Sequence, residues 1–176
     1  MSRTPFRARS KRASAGLSLR RPTKVPADKN RGRTLGVVSF CLHGNAGERK
    51  SSDFTAPELI GIVEAGLPIR ELQELQTSLD MPMETLASKL DIAKATLHRR
   101  KRQGRLQRDE SDRVIRFARL LGKAIAILES EENARRWLTS PQLGLGGAIP
   151  LDYAKTEVGA REVEDLLGRI EYGVYS

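Results

Sequence analysis

The sequence predicts an all-α protein: a helix-turn-helix bundle, then a small helical domain, preceded by a disordered basic N-terminal arm. Three observations predict it. From Thr55 onward, apolar residues recur at the three- and four-residue spacing of one helix face. Two short apolar-faced segments meet at Asp91-Ile92, which is too short for anything but a tight turn. The charge is also divided. Residues 1–50 hold 13 Lys/Arg against 2 Asp/Glu, and residues 51–176 hold 18 against 20, so the net charge of +9 belongs to the first fifty positions.

Residues 1–34 lack periodicity and carry Pro5, Pro22, Pro26 and Gly32 among the charges, a composition that cannot bury enough apolar surface to order itself. A basic arm on a nearly neutral body suits a polyanion, most simply nucleic acid; a merely solvated extension is the alternative. The composition also resembles an organelle transit peptide, though without an amphipathic period, and a start site assigned too far upstream would give the same arm. Leu35–Leu42 reads as a short strand without an evident partner strand. Gly44–Asp53 reads as a linker.

Thr55 and Glu58 have capping-box spacing, and Ile60, Val63 and Leu67 follow on one face. Pro68 opens the next helix, with Leu72, Leu75 and Leu79 in register. Pro82 starts a short helix whose apolar face is Met83, Leu86, Ala87 and Leu90. After the turn, Ala93–Arg102 forms a second short helix with Leu97 facing inward. Ser111 is expected to cap a long helix, apolar on several faces from Val114 to Leu128 and continuing through the polar Glu129–Arg136 to Trp137. Pro141 ends it, because proline lacks the N–H that another turn needs. Gly144–Gly147 is a turn, Pro150 starts a short helix, and Val163, Leu166, Leu167 and Ile170 define the last one. The expected organisation is an arm and linker over 1–54, a helix-turn-helix and dimerisation domain over 55–130, and a C-terminal domain over 131–176.

Several chemistries are excluded by residue inventory. One cysteine, Cys41, cannot form an intramolecular disulfide, and with only His43 and His98 beside it no zinc site is expected. That usage fits a reducing cytoplasm. No apolar run approaches the ~20 residues that span a bilayer. The Gly144–Gly147 turn lacks a preceding strand and the lysine of a phosphate-binding loop. The two histidines have no plausible nucleophile, so neither an enzyme nor a cofactor is expected. Trp137 reads as a packing anchor.

The second short helix carries the nucleic-acid chemistry. A helix of this length fits the major groove, where its N-terminal side chains reach base edges. Lys94 and Thr96 are the candidates for base readout, with His98 and Arg99 next. Arg100, Lys101, Arg102 and Arg105 are expected on phosphates, which supply affinity and salt dependence. A solvated basic face without nucleic acid is the plainer alternative. Ala93 stands where a Ser or Thr cap is expected, so the helix start is weakly capped.

The last nine residues, Gly168–Ser176, stay apolar almost to the end, with Tyr172, Val174 and Tyr175 around Gly173. Chain ends are usually polar and frayed. Such a tail either packs onto the last helix of its own chain or enters a partner. Gly173 favours a bend and a thin profile, which suits insertion into a cleft.

Together these residues resemble the Xre/MbcA/ParS antitoxins, partners of RES-domain toxins. The resemblance runs from about Gly66 to Ser176. It rests on Thr96-Leu97-His98-Arg99-Arg100-Lys101, Gly104-Arg105-Leu106 and Ser111-Asp112-Arg113, then on Trp137-Leu138, Pro141, Leu143-Gly144, Gly146-Gly147, Pro150-Leu151, Thr156-Glu157, Gly159, Val163, Leu166–Ile170 and Tyr172-Gly173. It implies an all-helical antitoxin that dimerises, represses its own operon through operator DNA and neutralises an NAD-consuming toxin. It also implies a small helical toxin-binding domain at the C-terminal end, with Arg169, Tyr172, Gly173, Val174, Tyr175 and Ser176 as toxin contacts. Residues 1–50 have no counterpart in the family pattern. A free-standing helix-turn-helix transcription regulator is the alternative.

Overall fold

The computed structural model describes residues 36–43 and 54–173, and the regular elements among them are helical. In chain order they are α1 (Val37–His43), α2 (Ala56–Ala65), α3 (Ile69–Leu79), α4 (Met83–Lys89), α5 (Lys94–Gln103), α6 (Arg108–Leu128), α7 (Glu131–Thr139), a 3-10 turn (Leu143–Leu145), α8 (Pro150–Tyr153) and α9 (Glu157–Glu171). The all-α expectation holds. The arm expected over 1–34, the linker over 44–53 and the tail residues Val174, Tyr175 and Ser176 lie outside the described residues.

The spine is α6, 21 residues and therefore roughly 32 Å long at 1.5 Å per residue. Val114, Phe117, Ala118, Leu120, Leu121 and Ala124 are buried on more than one side of it. The physical consequence is that α1, α2, α3, α7 and α9 all pack on this one helix. Leu72 and Leu75 from α3, Leu86 from α4, Leu97 from α5, Leu138 from α7 and Val163 and Leu167 from α9 join the same core. The two expected domains thus share one apolar interior.

Residues 37–43 correct the expected strand. The paired valines favour a strand locally, but the helix places Val38, Cys41 and Leu42 on one face, and all three are buried. That face packs on α6 and α3. The approach is close enough that a Cβ at Gly122 would overlap the Cys41 carbonyl. The Glu71 carboxylate of α3, itself buried, accepts the Val38 N–H at 3.0 Å and satisfies one of the free donors that begin α1. Burial pushes the Cys41 thiol up to about 11, with the nearby Arg119 opposing the shift.

Two boundaries of the long helix also differ from expectation. The cap is Gln107 rather than Ser111: Gln107 N–H donates to Glu110 at 2.7 Å, and Glu110 occupies the third helical position. Ser111 lies inside the helix. Its hydroxyl donates to the Gln107 carbonyl at 2.6 Å and accepts the Leu67 N–H at 2.8 Å, so it ties the loop before α3 to the spine. At the other end Glu129 takes a left-handed conformation (φ 54°), which breaks the helix. Ser130 then caps α7 by accepting the Asn133 N–H. The polar stretch after Leu128 is therefore a separate helix, set at an angle that buries Ala134 and Leu138.

The expected start of α2 is observed, with Thr55 N–H donating to Glu58 at 2.8 Å. Polar ties join the N- and C-terminal halves. Lys89 at the end of α4 meets Asp152 of α8 at 2.9 Å. Arg116 of α6 donates to the Lys155 carbonyl and lies 3.2 Å from Glu157. Arg135 of α7 donates to the Ser78 carbonyl at the end of α3.

Candidate nucleic-acid and partner interfaces

The pair α4 and α5 forms the helix-turn-helix. Leu86, Ala87 and Leu90 bury the first helix, and Asp91 turns the chain at φ 53°. Leu97 seats the second helix on the core. As expected, Ala93 gives α5 no side-chain cap. Lys94, His98 and Arg102 follow i, i+4, i+8 on the outward face, with Arg99 beside them, and all four are exposed. Lys101 is exposed on one flank, and Thr96 is half-buried on the other. The structure thus gathers most of the expected DNA-facing residues on one surface.

Arg100 is the exception, and its expected role on phosphates is corrected. It is only 4% exposed. Its Nε lies 2.8 and 3.0 Å from the two carboxylate oxygens of Glu110, and its NH1 donates to Gln103 at 2.8 Å. The physical reason is helical position: Arg100 follows Leu97 by three residues and so shares its inward face. Burial alone would raise the Glu110 carboxyl. The Arg100 guanidinium, the Gln107 N–H and the charge of Arg113 outweigh it and hold Glu110 below its ordinary value. Arg105 is exposed beyond the end of α5, with NH1 donating to the Ala65 carbonyl at 3.0 Å. That bond, with Ile69 N–H to Gly104 and Leu106 N–H to Leu67, fixes the segment after α5 against the start of α3.

The C-terminal surface is built on α9. Thr156 caps it by accepting the Gly159 N–H at 3.1 Å. Gly159, Ala160, Val163 and Leu167 face the core, while Leu166 and Ile170 are half-buried. Arg169 is exposed. Tyr172 closes the helix and stands 80% exposed, and Gly173 follows with φ 67°. Trp137 packs against the core as an anchor. An open hollow of about 860 Å³ between α2 and the first half of α6 is lined by Arg108, Arg113 and Arg116 together with Asp109, Asp112 and Glu157. Its opposite charges are interleaved, so it is no phosphate cradle.

Residues 58–119 match the antitoxin Xre-like helix-turn-helix domain, and residues 123–173 match the antitoxin Xre/MbcA/ParS C-terminal toxin-binding domain. Antitoxin Xre of Yersinia enterocolitica is 31% identical over 120 residues, 67% of this chain and 81% of that one. Antitoxin Xre of Photorhabdus laumondii is 31% identical over 124 residues, 69% and 84% of the two chains. The chain belongs to the Xre antitoxin family. Antitoxin Xre of Pseudomonas putida is a further relative, 29% identical over 125 residues, 71% and 70% of the two chains.

Family membership makes α5 part of a helix-turn-helix domain and α9 part of a toxin-binding domain. The two matched stretches meet between residues 119 and 123, inside α6. Helix α1 precedes both. No helix among the described residues is long and apolar enough to cross a membrane. Sequence reasoning passed over two exposed apolar side chains of the C-terminal domain, Leu143 and Val158. A signal existed for Val158, which lies opposite Leu167 on the turn of α9.

Proposed function

We propose that the chain is the antitoxin of a type II toxin–antitoxin system whose toxin is a RES-domain enzyme that consumes NAD. It acts in the cytoplasm and has no catalytic activity of its own. Tyr172, Gly173, Val174, Tyr175 and Ser176 enter the active-site cleft of the toxin, with Arg169 at its rim, and exclude the dinucleotide by occupying its place. As a homodimer the chain also binds operator DNA through Lys94, Thr96, His98 and Arg99, with Lys101, Arg102 and Arg105 on phosphates, and represses its own operon.

The observation that carries this reading is the exposure of Tyr172. An aromatic ring left in water at the end of a helix forgoes burial worth about 25 cal/mol per Å² of apolar surface, although Leu167, five residues before it on the same helix, is fully buried in the core. A partner pocket recovers that term. Deletion of Glu171–Ser176 in cells that co-express the toxin tests the proposal. Growth arrest despite normal antitoxin levels is the expected result; healthy growth would remove the tail from the mechanism.

A further inference from the structure

Tyr172 is not the sole exposed apolar side chain among the described residues of the C-terminal domain. Val158 in the first turn of α9 is 73% exposed, and Leu143 in the 3-10 turn is 97% exposed. Val158, Glu162, Asp165, Arg169 and Tyr172 are spaced four, three, four and three residues apart, so they form one stripe along the outward face of the helix. Val158 and Tyr172 stand about 21 Å apart at 1.5 Å per residue. Leu143 flanks this stripe, because the adjacent Gly144 packs directly on the Leu166 side chain.

The turn that carries Leu143 is braced by hydrogen bonds on both sides of it. Gln142 N–H donates to the Ala148 carbonyl at 3.0 Å, and Gly147 N–H donates back to the Gln142 carbonyl at 2.9 Å. The Gln142 amide donates to the Trp137 carbonyl at 2.8 Å. A leucine displayed on a turn braced in this way is pre-organised for contact, because little rotational freedom of the backbone remains to be lost on binding. The backbone at Val158 lies between Thr156 and Gly159, which the helix cap joins.

We infer that the toxin is gripped along the whole outward face of α9, with Val158 and Leu143 as apolar anchors in addition to the tail. This inference rests on the toxin–antitoxin reading above. The occupant is the toxin because the face lies wholly within residues 123–173, which match a toxin-binding domain, and extends as far as Tyr172 at the end of α9. The complementary surface on the toxin is a trough with apolar hollows near its two ends and a strip between them that pairs with Glu162, Asp165 and Arg169. Such a helix-in-trough contact divides the work. The face of α9 supplies affinity and partner choice, and the tail supplies occlusion.

The test uses the full chain and a purified RES-domain toxin of the class proposed above. Val158→Glu places an acid in the first turn of α9, where the helix dipole favours it, so folding is retained. Leu143→Asp changes a fully exposed side chain and serves as the second variant should the first alter the melting temperature. Each is expected to weaken toxin capture at least tenfold, with the melting temperature, operator affinity and oligomeric state of the chain alone unchanged. Unaltered capture by both variants would overturn the inference. So would a change in the oligomeric state of the chain alone, which would assign the face to a second copy of the antitoxin. Failure of the unsubstituted chain to capture the toxin would instead overturn the toxin–antitoxin reading itself.

Discussion

Arg100 of the recognition helix grips Glu110 of the spine helix through both carboxylate oxygens, at 2.8 and 3.0 Å, in a buried setting. This pair fixes the helix that would enter DNA relative to the helix on which everything else packs. A basic residue in the middle of the run proposed to face DNA therefore holds the fold together, while its neighbours Arg99 and Lys101 remain exposed.

Arg99→Ala and Arg100→Ala should consequently behave differently. Loss of Arg100 leaves a buried carboxylate without its partner, a change that costs about 3–5 kcal/mol. Denaturant unfolding should show that loss, with operator binding falling as a secondary effect. Arg99→Ala should leave unfolding unchanged and lower the salt slope of operator binding by about one. Equal stability of the two variants would contradict the buried role of Arg100.

Acid stability follows from the same pair. Glu110 is held below its ordinary value of 4.5. Its folded pKa is lower than its unfolded one, so its contribution is fully present above the unfolded value and is lost as pH falls through the folded value. Asp152 is lowered in the same direction: burial raises it, and Lys89 and Lys155 more than compensate. Unfolding measured between pH 6 and roughly pH 3 should therefore show stability declining toward acid. Glu110→Gln should flatten that decline, and an unchanged slope in the variant would argue against the pair as its source.

Gly122 marks the seat of α1. A Cβ there would overlap the Cys41 carbonyl, which is backbone and cannot rotate aside. Gly122→Ala should destabilise the protein by about 1–3 kcal/mol, the usual range for overpacking. Amide hydrogen exchange should show Val38–Leu42 losing protection while α3 and α9 keep theirs. Retained protection in α1 would mean that the helix accommodates the methyl group.

Much of this architecture is legible in the residues alone. Thr55 with Glu58, the Pro68 and Pro82 helix starts, the turn at Asp91 and the core face of Val163 and Leu167 follow from short-range rules, and the structure agrees with them. What escaped depends on distant partners. Val37-Val38 favours a strand until the α6 surface around Gly122 is present to receive a helix. Glu129 carries no local signal for the left-handed conformation that separates α6 from α7. Arg100 looks like its basic neighbours until its place three residues after Leu97 is combined with the position of Glu110. The exposure of Leu143 is set by the hydrogen bonds of Gln142 rather than by the Gly-rich composition around it.

On the proposed reading, the segment after α9 plugs the toxin. This is tested most directly by measuring NAD consumption by the purified toxin in the presence of a saturating excess of either the full chain or a chain lacking Glu171–Ser176. The expected result is strong inhibition by the full chain, and near-complete recovery of activity with the truncated chain while the two proteins still co-elute. Inhibition of equal strength by both chains would contradict it.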